Sequence, residues 1–287
     1  MEIHLVKLAL VMLYWRKIKM QKFIPLEELV EKEKLDFIES VENIDKYITK
    51  VKIRDVECCY FTNSKRTLWQ AVGIEYIEPE MLDYIESLEE DSVFYDIGAS
   101  NGIFSVYAMQ KSLKVFSFEP EIQNFSLLGA NSYLNKNSKH QHKLFNIAIS
   151  DKNSIGNMFI AKFEGGGHMK ILDKAKKVGE KENFIPDFTQ NVLTYNLDSF
   201  IEKYSLPAPE HIKIDVDGAE MAVIKGAINT LKNKTLKSIF IELEDNNKYT
   251  IEIINIIKKS GFIESKKVQV QNYEGLNNYI FTRNLYE

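Results

Sequence analysis

Cysteine is nearly absent: the 287 residues contain two, Cys58 and Cys59, and they are neighbours. Adjacent cysteines send their side chains in alternating directions and fit disulfide geometry poorly, so no disulfide framework is expected. No Cys/His spacing matches a zinc site. A reducing, cytoplasmic compartment is the simplest expectation. Internal repeats, low-complexity tracts and Gly/Ser linkers are also missing. Charge of one sign is not in excess either; the net charge of -4 and a pI near 5.9 exclude a general attraction to nucleic acid phosphates. Basic and aromatic residues do not interleave as in a single-strand channel. Nucleic acid is therefore not an expected partner.

Long apolar runs are lacking too. The run Leu8–Trp15 is too short to span a bilayer and lacks a small-residue cleavage site. Residues 1–22 carry five Lys/Arg (Lys7, Arg16, Lys17, Lys19, Lys22) against Glu2 alone. Such a segment suits weak contact with an anionic membrane surface. The plainer expectation is a helix packed on the domain or on a partner subunit of a homo-oligomer.

What remains is ordinary globular material, 45% hydrophobic and 27% charged, long enough for one sizeable core and a small appendage. Residues 23–65 are highly charged, with helical apolar spacing over 27–42 (Leu29, Val30, Leu35, Ile38) and strand-like character over 51–62. From about residue 80 strands and helices alternate. Strands are expected at 93–97, 115–118, 144–149, 212–215 and 238–243, and helices at 81–88, 123–135, 197–204 and 219–231. A short extended piece at 192–195 follows an irregular stretch holding Gly165-Gly166-Gly167. The tail has strand-like pieces at 262–270 and 278–283. The fold class expected is α/β: a Rossmann-like, doubly wound, mostly parallel sheet with a β-rich C-terminal edge over 80–287, plus an N-terminal α+β extension over 1–79.

The chemistry concentrates at Val93-Phe94-Tyr95-Asp96-Ile97-Gly98-Ala99-Ser100-Asn101-Gly102. An apolar strand ends in an acid, and two glycines bracket a turn into a helix, where a ligand can approach the backbone closely. A dinucleotide would place its pyrophosphate at that helix start, and Asp96 would repel it. The third glycine of the dinucleotide fingerprint is absent. S-adenosylmethionine has no phosphate and carries an ammonium and a sulfonium, so Asp96 suits it. Glu119 closes the next strand before Pro120, where a carboxylate can accept both hydroxyls of a ribose.

A second cluster, His211-Ile212-Lys213-Ile214-Asp215-Val216-Asp217-Gly218-Ala219-Glu220, ends another strand at the same sheet edge. By itself it also fits a helix start, with Asp217 as cap and Glu220 as capping-box partner. If an acceptor hydroxyl is methylated, a general base is needed, and Asp215, Asp217, Glu220, Glu242 and His168 are candidates. His168 follows the three glycines in what reads as a mobile lid. Asp215, Asp217, Glu242 and Glu244 offer hard oxygen ligands for a divalent cation, though their spacing does not require one and no metal is expected. An Asn/Asp-Pro-Pro-aromatic element, used by amino-directed nucleic acid methyltransferases, is missing; Asp215-Val216-Asp217-Gly218 stands there.

The chain resembles the FkbM family of methyltransferases. The matching pieces are Asp96–Gly102; Phe118-Glu119-Pro120 with Asn131; Ala148-Ile149-Ser150-Asp151; Leu197-Asp198-Ser199-Phe200; and Lys213–Glu220. They run in family order over residues 80–245. The resemblance implies a class I fold and transfer of methyl from S-adenosylmethionine to an oxygen of a sugar, glycan or other small molecule, leaving S-adenosylhomocysteine. It implies that Asp96, Gly98 and Gly102 hold the methionine end and Glu119 the ribose; Ala99, Ser100, Asn101, Pro120, Ala148 and Asp215 are further cofactor-binding candidates. Asp217 stands where the family more often has Glu. Two other classes stay open on the residues alone: a nucleotide-dependent oxidoreductase on a similar fold, and a catalytically silent module that binds the cofactor or a partner.

Overall fold

The computed structural model describes residues 47–136, 142–167, 169–173, 183–271 and 273–283. The segments expected to be helical or membrane-facing in residues 1–42, and His168, lie outside them. Tyr47–Glu287 forms one compact unit.

Its centre is a seven-stranded sheet. In chain order the strands are β3 (Val93–Ile97), β4 (Lys114–Phe118), β5 (Lys143–Phe145), β10 (His211–Ile214), β11 (Ser238–Glu244), β12 (Phe262–Gln269) and β13 (Leu276–Arg283). Their spatial order is β12-β13-β11-β10-β3-β4-β5. The five strands from β11 to β5 are parallel, and β13 runs antiparallel between β11 and β12. Every residue of β3 and β10 is buried, as central parallel strands covered on both faces require. One apolar cluster on one face includes Tyr95, Phe118, Ile214, Ile241 and Phe281. A second, on the other face, includes Phe94, Val106, Val115, Phe240 and Ile280. This is the expected doubly wound α/β sheet with an antiparallel C-terminal edge. The chain departs in opposite directions from β3 and β10, and ligands of open α/β sheets bind outside the carboxyl ends of strands at such a switch point.

The hairpin β1 (Ile48–Ile53) and β2 (Val56–Phe61) and helix α1 (Lys65–Ile77) lie in the region assigned by sequence to the extension. They share the second apolar cluster through Ile53, Cys58, Tyr60, Ala71 and Ile74, so no break in packing falls at residue 79. Helix α1 has little apolar periodicity of its own; a Ser64–Thr67 capping box starts it. Helix α2 (Pro79–Glu86) follows with proline in its first turn. The remaining helices are α3 (Ile103–Gln110), α4 (Ile122–Leu134), α5 (Leu197–Tyr204), α6 (Glu220–Gly226), α7 (Ile228–Lys232) and α8 (Thr250–Lys259). None of the helices in the described residues is long and apolar enough to cross a membrane.

Three local expectations are corrected. The strand expected at 144–149 is two strands, β5 and β6 (Ala148–Ser150), in different sheets. Asn146 makes the break by donating its amide to Glu119 O (2.8 Å) and Pro120 O (3.0 Å). The irregular stretch holds β7 (Ser154–Ile160), β8 (Lys170–Leu172) and β9 (Phe188–Asn196), which join β6 in a separate four-stranded sheet ordered β6-β9-β7-β8. The helix expected over 219–231 breaks at Ala227 into α6 and α7. At its break Gly226 passes so close to β6 that a Cβ would lie 1.9 Å from Ser150 O.

Candidate active site

The turn after β3 is built by strand crossing. Gly98 has φ +80°, and a Cβ there would meet Asp215 O at 1.7 Å, because the chain leaving β10 lies directly against it. Asp215 N donates to Ile97 O (3.1 Å) and closes this contact. Gly102, also left-handed at φ +79°, starts α3 against Leu128. Only glycine meets both demands at Gly98.

Beneath the turn lies a buried charge pair. Lys213 Nζ donates to Gly98 O (2.7 Å) and sits 3.1 Å from Asp96 Oδ1 and 3.5 Å from Asp215 Oδ2. Asp96 is 1% exposed, and its Oδ2 accepts from Ser105 Oγ at 2.5 Å. Burial opposes the charge on Lys213, yet Asp96, Asp215 and Glu78 outweigh it and raise its pKa. Asp96 is thus already neutralised within the protein. Asp215, about a third exposed, is the more open carboxylate.

Around this pair the carboxyl ends of β3, β10 and β11 gather more acid than base. Glu242, near the end of β11, lies in the field of Asp215, Glu78, Asp217 and Glu220; burial first, then those charges, push its pKa well above the usual range. Burial raises Glu220 to about 7, with Asp215 and Asp217 adding to the shift. Glu78, just before α2, is pushed up to about 8 by burial and then by Asp215. Burial and their mutual repulsion oppose ionising these acids together, and Lys213 offsets this only in part for Glu78. Among the described residues no group of three His, Cys, Asp or Glu is arranged to hold a metal ion, so Asp215, Asp217 and Glu242 form no such set.

On the other side of the turn Glu119 is 6% exposed at the end of β4. Its Oε2 accepts from Ser100 N (2.8 Å) and its Oε1 from Glu121 N (2.9 Å). Burial lifts its pKa to about 7 against the pull of these bonds. Each oxygen retains a lone pair for a further donor. Glu121, fully buried, caps α4 and accepts from Lys170 Nζ at 2.5 Å. The wall beside it is the segment expected to be a mobile lid. Here that segment is tied down: Gly166 O accepts from Arg66 Nε (2.8 Å) and Gln70 Nε2 (2.9 Å), and Gly166 N donates to Asn124 Oδ1 (2.8 Å). Asp217 Oδ2 accepts from Met169 N (2.9 Å) and Lys170 N (3.2 Å), which fastens the turn after β10 to β8.

The donor set also tests which cofactor fits. A phosphate-bearing ligand would meet Asp96, Asp215, Glu78 and Glu242 with Lys213 as their buried counter-ion, already engaged. A ligand with a cationic end meets the half-open Asp215 carboxylate and acids whose ionisation its charge favours. Residues 96–264, more than half of the chain, match the methyltransferase FkbM domain. The chain belongs to the FkbM methyltransferase family.

Two curated relatives are similar to this FkbM-family chain. The hexuronic acid methyltransferase AglP of Haloferax volcanii is 23% identical over 61% of this chain and 66% of its own length. The 2-O-methyltransferase NoeI of Sinorhizobium fredii is 29% identical over 55% of this chain and 66% of its own length. The chain thus spans just under two thirds of the length of each. The solved structure of a methyltransferase FkbM from Methylobacillus flagellatus superposes with a TM-score of 0.46 at 15% identity, over 68% of this chain and 45% of that one.

Of the residues singled out by sequence in this FkbM-family chain, Asp96, Gly98, Asp215, Asp217, Glu220 and Glu242 converge at the switch point. Asn101 and Pro120 serve neighbouring contacts: Asn101 Nδ2 donates to Gln70 Oε1, and Pro120 O accepts from Gln190 Nε2. Ala148 packs with Met158, Ile160 and Val192 in the second sheet. The capping box expected at Asp217 and Glu220 does not form. Ala219 is the N-cap, and Glu220 folds back to accept from Gly218 N (2.8 Å). Asn131 serves architecture: its Oδ1 accepts from Phe61 N (2.7 Å) and its Nδ2 donates to Asn101 O (2.7 Å), so it docks the hairpin on the glycine turn. Sequence reasoning missed Lys213 and Glu78. A lysine inside a strand buried on both faces was a readable signal for the first. Glu78 carries no comparable mark.

Proposed function

We propose that this chain is an S-adenosylmethionine-dependent methyltransferase that methylates a hydroxyl of a sugar or glycan. The observation that carries this reading is the surplus of carboxylates at the switch point, with Lys213 already engaged by Asp96, Asp215 and Gly98 O. It favours a ligand with a cationic methionine end and opposes a pyrophosphate. The printed activities of the two relatives, on a hexuronic acid and at a 2-oxygen, support an acceptor of this kind.

When bound, S-adenosylmethionine supplies a methyl group already activated by its sulfonium. The residues here align and shield. The Asp96–Lys213–Ser105 network holds the glycine turn in place. Glu119 keeps lone pairs on both oxygens for ribose hydroxyls. The tied-down wall of Gly165–Gly167 bounds the site and limits water. The acceptor's proton falls to the Asp215–Glu220–Glu242 group. Within it Glu220, held at about 7, is matched to a base working near neutral pH.

Calorimetric titration with S-adenosylhomocysteine, and with NADH as the contrast, tests the cofactor. Saturable binding of the first alone is expected, weakened about tenfold or more in Glu119→Gln, which removes one charge-assisted acceptor. Transfer of labelled methyl to a hexose or hexuronic acid glycoside tests the acceptor. Binding without transfer to any hydroxylated acceptor would leave a cofactor-binding module; binding of NADH alone would make the chain an oxidoreductase.

A further inference from the structure

Glu78 lies outside the stretch that matches the family domain, yet the fold carries it into the site. It occupies the N-cap position of α2, where an acidic side chain would ordinarily accept from the helix's first amides. It does not: its side chain makes no capping bond, and Pro79 removes one of the amides. No hydrogen bond or salt bridge among the described residues engages its carboxyl group. Two residues on, Glu80 is 6% exposed and accepts from Asn278 Nδ2 (2.8 Å), which pins the start of α2 over β13. Asn278 is paired directly with Glu242 in the antiparallel register, so the two side chains share a face. This places Glu78 beside Asp215, Lys213, Asp96 and Glu242, at the end of the pocket where Asp215 is open to solvent.

A further observation marks this end as awaiting a donor. Asn278 is 1% exposed, and its Oδ1 has no hydrogen-bond partner although its amide nitrogen is satisfied. A buried acceptor facing carboxyl groups that themselves only accept when ionised is costly unless a proton or a cationic ligand arrives.

We propose that Glu78 is a cofactor-binding residue, supplying with Asp215 the counter-charge for the cationic methionine end of S-adenosylmethionine. The proposal rests on the cofactor reading above. It carries a distinctive signature. The groups acting on Glu78 are Glu80 from its own helix, Asp96 from β3, Lys213 from β10, Asp215 just beyond it, and Glu242 from β11. Asp217 and Glu220 stand behind Glu242. One lysine against so many acids leaves the empty pocket holding a proton on Glu78 near neutral pH, where burial and Asp215 put it at about 8. A ligand cation displaces that proton; the product, which lacks the sulfonium charge, displaces less of it. S-adenosylmethionine affinity therefore rises with pH relative to S-adenosylhomocysteine, and the returning proton favours product release.

The test is calorimetry of the full chain with both ligands between pH 6.0 and 7.5, in two buffers of different ionisation enthalpy. Wild type is expected to release more protons on binding S-adenosylmethionine, and its preference for that ligand to grow by up to about tenfold per pH unit. In Glu78→Gln the excess release and the pH-dependent preference disappear, and S-adenosylmethionine is weakened several-fold more than S-adenosylhomocysteine. The variant also carries the ligands' own titration as a baseline. A merely structural role for Glu78 would lower the melting temperature and weaken both ligands alike, with the pH dependence intact. Equal proton release for the two ligands in wild type overturns the proposal even if Glu78→Gln fails to fold. If neither ligand binds wild type, it is the cofactor reading itself that has failed.

Discussion

At the scale of single residues, glycine and lysine set the site more sharply than the acids do. The Gly98 turn is packed against the protein's own backbone, since a methyl there would lie 1.7 Å from Asp215 O. Neither atom can move without separating β3 from β10. Gly98→Ala is expected to lose more than about 3 kcal/mol, or all soluble protein, by urea denaturation. Gly102→Ala meets only the tip of Leu128, at 2.3 Å, and should cost about 1–2 kcal/mol, chiefly for its left-handed backbone. Equal losses for the two would contradict the crossing-strand account. Lys213 makes the complementary point. A lysine in a buried strand is tolerated because Asp96, Asp215 and Gly98 O surround its ammonium.

At the scale of elements, the second sheet is fastened to the turn after β10 and to the start of α4. Strand β8 carries Lys170 to Glu121, and Asp217 reaches across to the backbone of Met169 and Lys170. Asp217 therefore reads as a strap in this structure, with one oxygen committed to two amides. Replacing it by alanine should leave those amides unpaired and accelerate hydrogen exchange across residues 164–172. The cost to global stability should be only about 1–2 kcal/mol. Lost methyl transfer with unchanged exchange would instead mark Asp217 as the base. The hairpin β1–β2 is held similarly: Asn131 accepts from Phe61 N, and Asn135 Oδ1 accepts from Cys59 N (2.8 Å). An edge strand is thus covered by side chains of α4 rather than left to pair with another chain.

For the whole molecule, the crowded acids make stability depend on pH in an unusual direction. Glu119 and Glu220 are raised to about 7 and Glu78 to about 8, so the folded chain holds protons that the unfolded chain has released above pH 4.5. Stability must then fall as pH rises through these folded values. The buried histidines His142 and His211, each lowered to about 4 by burial, act oppositely, but only below pH 6.5, where the unfolded chain takes up protons. The melting temperature is therefore expected to fall between pH 6.5 and 8, and bound S-adenosylmethionine to narrow the difference. A melting temperature that rises over this interval would show that these acids are ionised in the folded protein.

The order of the central sheet's strands from Val93 onward, with most of the helices between them, was legible in the sequence because buried parallel strands and amphipathic helices leave strong local patterns. The glycine turn and the two acidic strand ends were legible for the same reason. Asp96–Gly102, Phe118-Glu119-Pro120 and Lys213–Glu220 each lie within a single short segment. The second sheet was not legible: β7 and β9 are exposed at alternate positions and β8 is only three residues long, so their apolar residues form no continuous run. Nor could sequence assign the acids their duties. Whether a carboxylate binds a ligand, straps a loop or neutralises a lysine depends on what lies across the sheet from it. Lys213 meets Asp96 from a strand more than a hundred positions away, and Glu78 comes into the field of Glu242 because α2 starts over β13. Local pattern determines which elements form; partnership between distant charges, and with it the chemistry of the pocket, comes from the tertiary fold alone.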